Sequence, residues 1–188
     1  MIFLIGTNHK IQTECESPSP CLQDKFNRFK HYVNATACLN KVAAIAEETS
    51  LELERKEGKS IARCIAESMQ PPLGYVPCDP DSTERKRLGI PTGIEIYNNR
   101  PPELPIMEEW VTYRDAEVLK YFPAREEFWI ERIRPLLPGP VLLICGANHV
   151  RTFPSRLGDI QYEILIPDWW EADDEIYGEL PMDERLCE

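Results

Sequence analysis

The chain has 188 residues, 43% of them hydrophobic and 28% charged, and a formal net charge of −11. That length fits one domain with a core of its own, and the apolar fraction excludes a disordered chain. The acidic balance argues against a surface that coats nucleic acid, which needs a basic excess or stripe. The charge is unevenly placed: residues 168–188 hold nine acids against one base, Arg185, a balance of −8 that leaves −3 for the other 167 residues.

Met1-Ile2-Phe3-Leu4-Ile5-Gly6 has no basic leader, and its apolar run is short, so it reads as a buried strand closed by glycine rather than a signal peptide or membrane span. No other apolar run approaches the roughly 20 residues that cross a bilayer. The seven cysteines are scattered, none at C-x-x-C spacing, which predicts reduced thiols in a soluble, cytoplasmic protein. Leu22, Phe26, Phe29, Val33 and Ala37 follow helical spacing over Cys21 to Leu39. His31, mid-helix beside Lys30 and Tyr32, reads as a surface residue. Asn34-Ala35-Thr36 matches a glycosylation pattern but has no secretory signal to support it.

Val42 to Ala46 is the second strand, ending in Glu47-Glu48. Ser60 to Met69 is a short helix stopped by Pro71-Pro72, and Tyr75 to Cys78 a weaker third strand that delivers Asp79. From Asp79 to Pro105 five prolines and little periodicity predict an irregular stretch, with Asp81 as the cap of a turn over Ser82–Leu88. Helical pattern returns from Met107 to Leu136, broken near Pro123, with an amphipathic helix from Arg125 to Leu137. Val141-Leu142-Leu143-Ile144-Cys145 is the clearest strand, closed by Gly146. A short helix through Val150, Phe153 and Leu157 leads to a last strand at Tyr162 to Ile166.

Apolar strands alternating with helices predict an α/β fold: a three-layer, Rossmann-like domain with a mostly parallel central sheet. Topology rules suggest strand order 3-2-1-4-5. Residues 1–167 form that domain, with 79–120 as an irregular and helical insert over the crevice. Residues 168–188 are an acidic tail, either solvated or laid on the body by Trp169-Trp170.

The polar residues collect at strand ends. Gly6-Thr7-Asn8-His9 closes the first strand and Gly146-Ala147-Asn148-His149 the fourth, the same G-x-N-H tetrapeptide twice. Ligands of open α/β sheets bind outside the carboxyl ends of the strands. There His9, His149 and Glu47 are candidate metal ligands, because imidazole and carboxylate suit a first-row divalent ion such as Mn, Co, Fe or Zn. Such an ion can activate water, with Glu47 or Glu48 as base; side chains of consecutive residues cannot both easily reach one crevice. Gly6, Asn8, Asp79, Gly146, Asn148 and Arg151 are candidate substrate contacts. Arg125, opening a helix near the crevice, is a candidate anion holder, and Arg125 with Glu126 is counted among the catalytic candidates. Arg85, Lys86 and Arg87 read as a solvated turn that could also meet an anion. Cys145, inside an apolar strand, reads as an inert thiol.

These motifs resemble the TraB/PrgY and TIKI-type proteins, within the superfamily that includes erythromycin esterase and the haem-binding ChaN-like proteins. Gly6 and His9 match a first G-x-x-H, and Gly146 and His149 a second. Glu47 or Glu48 stands at the acidic position after strand two, and Arg125-Glu126 is similar to the family's arginine-led segment. The resemblance, best over residues 1–48 and 120–166, implies a metal-dependent hydrolase of peptide or ester bonds. This chain has only a modest insert where the family carries a helical lid, and no membrane anchor of the TIKI kind. The alternatives are a non-catalytic module that binds a small molecule or cofactor in the same crevice, and an interaction protein acting through its acidic tail. The expected partner is a small-molecule or peptide substrate, without membrane or nucleic acid, and a homodimer is compatible with the sequence.

Overall fold

Two runs of six residues, β1 (Ile2–Thr7) and β4 (Val141–Gly146), are buried along their whole length. Strands apolar on both faces need helices on both sides, and the chain supplies them. The computed structural model describes residues 1–9, 11, 20–101 and 108–176. The remaining elements are α1 (Pro20–Leu39), β2 (Ala44–Glu47), α2 (Leu51–Glu57), α3 (Ile61–Ser68), β3 (Gly74–Pro77), α4 (Ser82–Leu88) and α5 (Gly93–Asn98). They continue with α6 (Glu108–Leu119), α7 (Phe122–Ile133), α8 (Ala147–Thr152), β5 (Tyr162–Ile166) and α9 (Trp169–Ile176).

The architecture is α/β, with a five-stranded sheet in order β3-β2-β4-β1-β5 and every pairing parallel. Period-2 alternation divides the core. Phe3, Ile5, Ile45, Leu142 and Ile144 pack with α1, α3 and Trp169 of α9. Ile2, Leu4, Ala46, Leu143 and Cys145 pack with Phe128, Trp129 and Ile133 of α7 and with Val150 and Phe153.

The order differs from the expected 3-2-1-4-5, because β4 stands between β2 and β1. Sequence neighbours need not pair when connections are long, and the β1–β2 and β3–β4 crossovers each have length enough to step over one strand. β4 thereby runs between β1 and β2, whose following helices lie on the opposite face from α7 and α8. The carboxyl ends of β1 and β2 both open onto that of β4, a topological switch on either side of one strand.

Local features account for the segments around the sheet. In the stretch after Asp79, Asp81 caps Ser82–Leu88 as expected, completing a capping box with Glu84 at the start of α4, and α5 adds a second box, Thr92 with Glu95. A helix of six residues is too short to show periodicity, and α2, capped by the Ser50 side chain, escaped for the same reason. The helical stretch from Met107 to Leu136 is broken near Pro123 as expected: α6 ends at Leu119 and α7 starts at Phe122, with Pro123 in its first turn, where proline is tolerated. Of the two readings of the chain past β5, its described part follows the second, laid on the body: Trp169 is buried, its ring edge-on to Phe29 at 4.8 Å. Most of the acidic stretch, residues 177–188, lies outside the described residues.

Cys64, Cys78 and Cys145 are free, whereas Cys38 is disulfide-bonded, a pairing that spacing cannot foretell because bridging depends on distance in the fold. Among the described residues no helix is long and apolar enough to cross a membrane.

Gly6 has a packing reason. A Cβ there would lie 1.9 Å from the Pro167 carbonyl oxygen and 2.8 Å from Val150 Cγ2. Backbone cannot yield as a side-chain tip can, so Gly6→Ala is expected to destabilise by about 3 kcal/mol or more. Gly93→Ala, with nothing within 4 Å of the new Cβ at the start of α5, should be neutral or slightly stabilising. Thermal unfolding of the two variants checks this contrast, and equal melting temperatures would refute it.

Candidate functional site

Successive residues of a strand point to opposite faces, and this separates the two acids that end β2. Glu47 follows Ile45 toward the α3 side, where its Oε2 accepts hydrogen bonds from Ser60 Oγ and from Tyr75 Oη, the latter at 2.7 Å. Tyr75 Oη also lies 2.7 Å from Glu54 Oε1, and Arg63 Nη1 donates to Glu54 Oε2 at 2.7 Å. Glu47 therefore belongs to a buried network away from the histidines, and the structure does not bring it to them as a metal ligand or base.

Glu48 turns the other way, into the crevice. Its Oε2 accepts the Gly146 N–H at 2.7 Å, and its Oε1 accepts from Arg125 Nη2 at 2.5 Å. His149 Nε2 lies 3.4 Å from the same Oε1, and His9 Nε2 lies 3.8 Å from it. Gly146 allows this approach, since a Cβ there would meet His9 Nε2 at 3.0 Å and Glu48 Oε2 at 3.2 Å.

Arg125 is nine-tenths buried and held from two sides. Besides Glu48, it donates from Nε to Asp79 Oδ1 at 2.9 Å. Asp79 is anchored in turn by Trp129 Nε1 at 3.1 Å and Arg85 Nη2 at 2.5 Å. Asp79, expected as a substrate contact, is thus the second wall of the arginine's cradle. Arg85, expected in a solvated turn, is the clamp behind it.

His149 is almost fully buried, its Nδ1 2.9 Å from Glu126 Oε1, which also accepts from Thr152 Oγ1. Phe122 stacks on its ring at a centroid distance of 3.7 Å and Trp129 lies at 4.5 Å. Phe122, Arg125, Glu126 and Trp129 lie at helical spacing on α7. Phe122 and Trp129 thus frame the charged groups. His9, at the matching place in the other G-x-N-H motif, has a side chain 62% exposed, whereas His149 is buried. Arg151, on α8, is exposed and is not among the residues lining the crevice.

The charges shape one another. Burial opposes ionisation of Glu48, but Arg125 and His149 outweigh it and hold the carboxyl well below the usual range. Burial likewise works against the His149 cation, yet Glu48 and the bond to Glu126 raise its pKa above the ordinary histidine value. The set is an imidazole between two carboxylates, with a guanidinium alongside.

Around it lie two cavities. One, of about 450 Å³, runs from His9 and Arg125 past Thr49, Ser50 and Lys56 to Arg85. The other, of about 350 Å³, runs from His9 and Arg125 past Asn8, Asn148 and His149 to the start of α9.

The donor set does not fit a divalent metal. Both Glu48 oxygens are engaged, His149 Nδ1 is committed to Glu126, and Arg125 Nη1 puts positive charge 3.4 Å from His149 Nε2. Among the described residues no group of three His, Cys, Asp or Glu side chains is arranged to hold a metal ion.

Fold and site define a doubly wound, parallel α/β protein with a buried ionic cluster at the carboxyl edge of its sheet. No family model, curated protein or solved structure matches the chain.

The Glu47 network carries a pH dependence of its own. Burial, helped by repulsion from Glu54 and Glu48 and opposed by the Ser60 and Tyr75 hydrogen bonds, pushes its pKa up from 4.5 to about 7. Between these values the folded chain binds more protons at Glu47 than the unfolded one. Its share of stability is therefore whole below pH 4.5 and lost as pH rises to about 7, up to roughly 3 kcal/mol. Glu47→Gln, neutral throughout, is expected to flatten this slope in urea unfolding between pH 5 and 8. Parallel curves for variant and wild type would show that Glu47 does not titrate there.

Proposed function

We propose that this chain is a hydrolase of ester or amide bonds that works by general acid–base chemistry at the carboxyl edge of the sheet. The observation that carries the reading is the Glu48–Arg125–His149–Glu126 cluster beside an exposed histidine at the junction of two cavities. Burying that many charges is a poor way to gain stability, and perturbed titratable groups in a cleft are the mark of a reactive site.

His9 takes a proton from water, polarised by the Glu48 carboxylate on its Nε2 side. The water oxygen bonds to the substrate carbonyl carbon, and Arg125 offsets the negative charge that develops on the carbonyl oxygen. The bond to the leaving oxygen or nitrogen then breaks, and that atom takes the proton from His9. Glu126 orients His149, and His149 and Asp79 hold Glu48 and Arg125 in register.

The resemblance of Gly6, His9, Gly146, His149, Glu48 and Arg125 to the TraB/PrgY and TIKI-type pattern supports a hydrolase. The metal dependence it implies is not part of this proposal, because the donor set is arranged around a guanidinium.

Turnover of p-nitrophenyl acetate and alanine p-nitroanilide at neutral pH tests the proposal. His9→Ala is expected to lose about 10²- to 10⁴-fold in kcat, with Glu48→Gln falling similarly and both variants folded by circular dichroism. EDTA is expected to leave turnover unchanged. Wild-type activity in His9→Ala would refute the assignment. Loss in EDTA restored by Mn, Co, Fe or Zn would return the chemistry to a metal.

A further inference from the structure

The smaller cavity has a feature that the proposed chemistry leaves unused. Phe3 and Ile5 of β1 face the core beneath α1 and Trp169, so Thr7, two residues on, faces the same side. Thr7 lines the cavity. It is 2% exposed, and its hydroxyl has no hydrogen-bond partner among the described residues. A buried hydroxyl is ordinarily satisfied, by protein or by something bound.

The cavity is also electrically lopsided. Asp168 and Glu171, at the start of α9, form one wall; Asp168 Oδ1 takes the Trp170 N–H at 3.1 Å, and Glu171 is exposed. The cationic groups nearby are already engaged, Arg125 by Glu48 and Asp79, His149 by Glu48 and Glu126, and Lys25 by the Trp170 carbonyl at 2.6 Å and the Trp170 ring. The α9 wall therefore offers negative charge to a ligand. Asn8 and Asn148, one from each G-x-N-H tetrapeptide, line the same cavity and carry amide donors and acceptors. His9 and Arg125 are common to both cavities, so a bond lying over them has one arm in each.

We infer that the smaller cavity is the subsite for a protonated amine on the acyl half of the substrate. Asp168 and Glu171 supply the counter-charge, and Thr7 with the two asparagines hydrogen-bonds the adjoining polar atoms. This rests on the hydrolase reading and narrows it to short peptides and amino-acid esters with a free amino group. The bond changes are those already given: carbon gains the water oxygen and releases the leaving amine or alcohol, which departs with the proton from His9.

Calorimetric titration of the full chain with L-alaninamide and with N-acetyl-L-alaninamide at pH 7 tests the subsite without requiring turnover. The free amine is expected to bind at least 10-fold more tightly. The double variant Asp168→Asn, Glu171→Gln should bring the two ligands level, and Thr7→Val should weaken alaninamide several-fold. Equal affinities in the wild type, no measurable binding of either ligand at millimolar concentration, or a preference that survives the double variant would each overturn the inference. A chain that hydrolyses p-nitrophenyl acetate but shows no preference for the amine keeps the hydrolase and loses the subsite. A chain that prefers the amine but hydrolyses nothing keeps the subsite and loses the hydrolase.

Discussion

The arrangement turns on one buried guanidinium. Arg125 lies between Glu48 and Asp79 with its charge withdrawn from water. Removing ions from water costs several kcal/mol each, which their mutual attraction repays only when the geometry is good and the remaining donors are satisfied. That demand ties together the ends of β2 and β3, the first turn of α7 and, through the Gly146 N–H on Glu48, the end of β4. His149 is placed as a consequence, since Glu126 follows Arg125 on α7 and grips its Nδ1.

The sheet order makes this convergence possible. With β4 next to both β1 and β2, Glu48 and His9 reach Gly146 from opposite sides. In the order 3-2-1-4-5, β1 would separate Glu48 from Gly146. The repeated tetrapeptide is then used in two ways. His149, held at the start of α8 under Phe122, is buried and fixed by two carboxylates, while His9 projects into the crevice. The same G-x-N-H pattern, with Thr7 in one copy and Ala147 in the other, yields an accessible imidazole in one place and an orienting one in the other.

What could be read in advance follows a physical divide. All five strands were legible, β1, β2 and β4 as continuous apolar runs ended by glycine or charge, and β3 and β5 as short runs rich in β-branched and aromatic residues. The histidines, Glu48, Arg125 and Glu126 were legible as candidates because they fall at strand ends and a helix start. Of the two short capped helices after Asp79, the first was legible through its Asp81 cap, while the second was not, since a helix of six residues shows no period. Nor was the role of Asp79, whose partners Arg125 and Trp129 are 46 and 50 residues away.

By itself, then, the sequence determined the class of fold and the set of polar residues that border its carboxyl edge, because periodicity and strand-end placement are local properties of the chain. It also implied that only one of Glu47 and Glu48 could enter the crevice, though not which. Tertiary structure chose Glu48, set β4 between β1 and β2, and placed a guanidinium beside His149 and Glu48 rather than leaving them open to a metal. Those choices depend on which strands pair and on how buried charges neutralise one another across the sheet, and both are properties of contacts between residues far apart in the chain.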